Sequence, residues 1–116
     1  MIIKITAPYM PGLSKNRKFV GRCAKVLSPE YKRAKSVIYS LVKSALNKST
    51  SSYSKQKVWI GIMIYRPSMR GDPSNNIEGI CDSIKLAIGI DDNYFSCVCD
   101  WEVDKLNPRL VISIIQ

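Results

Sequence analysis

Apolar residues recur along this chain in two periods, and the switches between them predict six elements. Ile2 to Thr6 alternates, with Ile3 and Ile5 on one face, and reads as an opening strand stopped by Pro8, Pro11 and Gly12. Ser28-Pro29-Glu30 then supplies an N-cap, a first-position proline and a first-turn acid. Tyr31, Ala34, Ile38, Leu41, Val42 and Ala45 follow at helical spacing, predicting a helix over Pro29 to Asn47. Val58 to Tyr65 is apolar on both faces and predicts a central strand. A second helix starts at Asp72-Pro73, buries Ile77, Ile80, Cys81, Ile84 and Ile88, and ends at Gly89. Tyr94 to Val103 and Arg109 to Ile115 complete the pattern as two strands, expected to pair as a hairpin about the turn Asp104 to Pro108. Phe95, Val98 and Trp101 are expected in the core, their other use being a dimer surface.

The order β-α-β-α-β-β predicts an α+β fold, a mixed sheet with two helices packed against it. Residues 1–116 suit one domain, and Lys48 to Lys57, poor in apolar residues, reads as a connecting loop within it. No apolar run reaches the roughly 18 residues that cross a membrane, and the first strand is too short for a signal peptide. A cytoplasmic protein with buried, reduced cysteines is expected. The four cysteines lack zinc-site spacing, and there is no histidine, which excludes His-based acid–base catalysis and most transition-metal sites.

Charge divides the chain. Residues 1–70 carry 15 of the 18 Lys and Arg and one acid, Glu30, whereas residues 71–116 carry 3 basic and 8 acidic residues. So uneven an excess points to a polyanionic partner, nucleic acid, for the first part. Asn16, Arg17, Lys18, Arg22 and Lys25, mixed with hydrogen-bonding groups in a loop, suit phosphate, as do Arg66 and Arg70 before the second helix and Lys85 within it. Glu78 and Asp82 stand one helical turn apart and repel unless a cation lies between them. With Asp72 at one end of that helix and Asp91-Asp92 at the other, the unit suits Mg²⁺, which takes one or two carboxylates plus phosphate oxygens. Metal-assisted phosphodiester hydrolysis is the chemistry that needs no histidine.

The run Asp72-Pro73-Ser74-Asn75, then Glu78, Asp82-Ser83-Ile84 and Asp91-Asp92, resembles the core motif of RusA-type Holliday-junction resolvases. That pattern is approximately Asp-x-Asp-Asn, a lysine three residues on, Asp-Ala-Leu and a final Asp-Asp. Pro8 to Arg17 is similar to the Pro-Pro-Ser-x-Asn-Arg loop after the first strand of that family. The resemblance implies a phage- or prophage-encoded, nucleoid-associated homodimer that resolves four-way junctions or other branched DNA by Mg²⁺-dependent cleavage, with Mn²⁺ as a substitute. Carried over, Asp72 and Asp92 are metal ligands, with Asp91 adjacent. Ser74 departs from the second aspartate and Glu78 from the lysine. The expected site is therefore Asp72, Glu78 and Asp92, with Asp82 as a further ligand and Lys85 or Arg70 in place of the lysine. Two alternatives stand beside the nuclease: a protein of the same fold that binds junctions without cutting, and an unrelated basic structural protein.

Overall fold

A computed structural model describes residues 1–20, 26–49 and 51–116. It contains two helices on a four-stranded mixed sheet, the α+β arrangement expected from the sequence. Strand β1, Ile2–Pro8, buries Ile3, Ile5 and Ala7 and exposes the alternate positions. Helix α1, Pro29–Asn47, begins where expected: Ser28 Oγ accepts the Tyr31 N–H at 3.0 Å, and Pro29 occupies the first turn. Its stripe of Tyr31, Ala34, Ile38 and Val42 is buried.

Between these elements lie more structured parts than a loop. Pro11–Leu13 and Lys15–Arg17 are 3-10 turns, and β2, Phe19–Val20, pairs antiparallel with β3, Val26–Leu27. Arg22 and Lys25, two of the expected phosphate contacts, lie outside the described residues.

Strand β4, Val58–Arg66, is central, as its composition predicts. Helix α2, Ile77–Ile88, carries the chain back, and β5, Phe95–Val103, lies parallel to β4 with Val58 opposite Phe95 and Arg66 opposite Val103. The last strand, β6, Arg109–Ile115, is antiparallel to β4 on one side and β1 on the other, giving the order β1-β6-β4-β5. The expected β5–β6 hairpin does not form. The turn at 104–108 instead steps past the end of β4, where the Asp104 N–H donates to the Arg66 carbonyl at 2.8 Å. Burying Val58, Ile60, Ile62 and Ile64 on the helix-covered side puts β4 between two neighbours and pushes β5 to the edge. Val98 and Trp101 are accordingly 65% and 40% exposed, not core residues.

The core is the layer between the two helices and the inner face of the sheet. Ile38, Val42, Ile60, Ile64, Ile80, Ile84, Ile112 and Ile114 are almost fully enclosed there, each isoleucine contributing about 1.5–3 kcal/mol. The segment 51–57 is fastened to that core by Tyr53, whose buried hydroxyl donates to the Ile114 carbonyl at 2.6 Å.

Candidate functional site

The end of β4 is held by a buried cation. Arg66, 4% exposed, donates from Nη2 to the carbonyls of Arg70 at 3.0 Å and Gly71 at 2.7 Å. Its guanidinium carbon also lies 4.7 Å from the centre of the Trp101 ring. Gly71 turns the chain at φ +80°. Asp72 then caps the 3-10 turn Pro73–Asn76: its Oδ1 accepts the Ser74 N–H at 2.9 Å and the Ser74 hydroxyl at 2.8 Å. Those bonds, the hydroxyl's first, hold the Asp72 carboxyl below the usual carboxylate range, and Lys15 and Arg66 act in the same direction.

Facing this junction is the segment after β1. Gly12 packs against Glu30, and Leu13 is buried against Gly79 of α2, where the missing side chain permits close approach. Ser14 caps the next turn through Asn16, and Arg17 pairs with Glu30 at 3.2 Å. Asn16, Arg17, Arg66, Arg70, Asp72 and Asn75 line one cleft of about 460 Å³ between the two segments.

The carboxylates of α2 do not face one another across a shared cation. Glu78 accepts from Lys18 of the basic arm at 2.5 Å, and Asp82 lies 4.0 Å from Lys35 of α1. The two lysines stand 5.6 and 5.5 Å from the centre of the Tyr31 ring. Each carboxylate thus has its own ammonium, which relieves their repulsion. Lys18 is held above the usual lysine range, first by its hydrogen bond to Glu78. Beyond the helix, Gly89 takes φ +72° and donates its N–H to the Lys85 carbonyl, returning the chain towards Lys85. The Lys85 ammonium lies 3.3 Å from Asp91 and 3.8 Å from Asp92. The Asp92 carboxyl and Lys85 together keep Asp91 below the usual carboxylate range.

Between the two ends of α2 lies a pair of thiols. Cys81, buried on α2, has its Sγ 3.2 Å from that of Cys97, exposed on β5. The contact lowers the Cys97 thiol to about 7 and pushes that of Cys81 up. Asp92 acts electrostatically on both, and Asp72 on Cys99 further along β5.

The expected grouping of Asp72, Glu78 and Asp92 is not assembled: among the described residues, no three His, Cys, Asp or Glu side chains lie together so as to hold a metal ion. Asp72 precedes α2 and Asp92 follows it, and a twelve-residue helix rises about 18 Å. Asp91 and Asp92 do share one cation, the Lys85 ammonium, and a carboxylate pair of this kind fits the one- or two-carboxylate habit of Mg²⁺. Of the expected DNA contacts, Asn16, Arg17 and Arg70 line the cleft, Lys18 and Lys85 are engaged with carboxylates, and Arg66 is committed to backbone carbonyls. The pairing of Lys35 with Asp82 leaves no local signal in the sequence. Only the crossing of α1 over α2 provides that contact. No protein-family model matches this chain, and no curated protein matches it. No helix among the described residues is long and apolar enough to cross a membrane.

Proposed function

We propose that this protein is a Mg²⁺-dependent, structure-selective endodeoxyribonuclease acting on branched DNA, of the kind its resemblance to RusA-type resolvases implies. One observation carries the reading. Pro8 to Arg17 and the start of the second run, Asp72 to Asn76, both bear the resemblance and are far apart in the chain, yet residues of each line one cationic cleft. In this reading Asn16, Arg17 and Arg70 receive the phosphodiester backbone, where contacts position the strand without reading its sequence. Asp72 is kept ionised by Ser74 and faces that strand. Asp72, the carboxylate that lines the cleft, would hold the metal beside that strand, where a bound metal would supply Lewis-acid stabilisation of the phosphodiester. The Asp91–Asp92 pair, beyond the far end of α2, would be a separate cation site. Mn²⁺ would substitute. Two copies related by a two-fold axis suit a four-way junction, whose opposing strands are cut symmetrically.

A second reading has its own support: junction binding without cleavage. Lys18, Lys35 and Lys85 already neutralise the carboxylates, and the Ser74 hydroxyl donates to Asp72 where the family has an anionic ligand. An end-labelled synthetic four-way junction, incubated with Mg²⁺, Mn²⁺ or a chelator, separates the two. The nuclease reading expects paired symmetric nicks that need the metal and are lost in Asp72→Asn. A gel shift with intact strands under every condition would reject it in favour of the binding protein.

A further inference from the structure

We propose that Cys81 and Cys97 are a reversible dithiol–disulfide pair, closed by a hydroperoxide, that fastens α2 to the edge strand β5. This inference does not rest on the nuclease reading. The sulfurs are 3.2 Å apart although the residues belong to different elements, and a disulfide bond of about 2.05 Å requires them to approach by only about 1 Å. The arrangement is asymmetric in a way that orders the chemistry. Cys97 is exposed on the last strand of the sheet, whereas Cys81 is buried behind it. Cys99, on the same side of β5, has its sulfur 3.9 Å from the Asp100 carbonyl instead.

The Cys97 thiolate attacks the outer oxygen of the hydroperoxide, the O–O bond breaks, and Cys97 becomes a sulfenic acid while the alcohol, or water from hydrogen peroxide, departs. The Cys81 sulfur then attacks the sulfenic sulfur, forming the S–S bond and expelling water. Two thiols lose two electrons and two protons, the peroxide is reduced, and a dithiol reductant reverses the change by exchange. Because the Cys81 sulfur already lies 3.2 Å away, the sulfenic acid is resolved within the chain before a second molecule arrives. The resulting strap closes the segment that holds Gly89 and the Asp91–Asp92 pair, restricting the unfolded chain.

The full chain is treated with stoichiometric hydrogen peroxide, unfolded in an alkylating agent and mapped by mass spectrometry without reduction. The expected product is one Cys81–Cys97 linked peptide, removed by a dithiol, together with a raised thermal midpoint. In Cys97→Ser, whose substitution is at an exposed position, Cys81 stays alkylatable and the midpoint no longer responds to peroxide. The proposal is overturned if Cys97 is oxidised while Cys81 remains alkylatable. It is equally overturned if the link formed joins two chains or involves Cys23 or Cys99.

Discussion

Lys18 Nζ meets Glu78 Oε1 at 2.5 Å and so ties the basic arm to the acidic helix. The pair is part of how this chain carries opposite charges on neighbouring surfaces. In the nuclease reading it also occupies a cation available to phosphate. Replacing Glu78 by Gln is expected to tighten binding to branched DNA and to steepen its salt dependence by about one unit of slope, the signature of one more phosphate contact. Stability should change by less than about 1 kcal/mol, because Glu78 is half exposed. Fluorescence anisotropy across a salt series measures the first effect and urea unfolding the second. Unchanged affinity and slope would mean that Lys18 does not reach the nucleic acid.

Arg66 is expected to act on the architecture of the cleft more than on its charge. Arg66→Met leaves the carbonyls of Arg70 and Gly71 without their buried donor, a loss of about 1–3 kcal/mol. It also removes the contact with Trp101. Urea unfolding should show the lowered stability, and quenching of Trp101 fluorescence should change with it. An equally stable variant would show that the loop before Asp72 holds itself.

Gly12 has no room for a side chain. A Cβ there would stand 2.6 Å from Glu30 Cγ and 2.9 Å from the Glu30 carbonyl oxygen. Because the oxygen belongs to the α1 backbone, Gly12→Ala should displace the turn that presents Asn16 and Arg17, at about 1–3 kcal/mol. Weaker junction binding together with a lower denaturation midpoint is the expected result. A Glu30→Ala background should not rescue it, since the backbone contact remains.

Tyr53 gives a pH dependence of known sign. Burial pushes its phenol from 10.0 up to about 12. The folded state therefore holds the phenolic proton more tightly than the unfolded chain. Its contribution is complete below the unfolded value and is lost as pH rises between about 10 and 12. Thermal midpoints of the wild type should fall more steeply across that window than those of Tyr53→Phe. At neutral pH the variant should be less stable by about 1 kcal/mol, the worth of its hydrogen bond to Ile114.

Local signals made most of the elements legible. A proline and a capping serine begin α1, a left-handed glycine ends α2, and the continuous apolar run of β4 marks it as central. These depend on neighbours a few residues away, and a sequence displays them directly. The charge division and the acidic composition of residues 72–92 were equally plain, as were the two stretches that face each other across the cleft.

What only the tertiary structure decided is who meets whom. Strand pairing is set by which strand must be buried on two sides, and this moved β6 away from β5 and left Val98 and Trp101 exposed. The spacing of Glu78 and Asp82 showed that both needed cations, but the supply comes from Lys18 and Lys35 on other elements. Arg66 became a buried brace because the loop beyond it presents two carbonyls. Cys81 and Cys97 touch only because the crossover makes β5 parallel to β4 and lays α2 across it. Periodicity states which face of an element is buried, and the partner on that face is chosen by the packing of the whole chain.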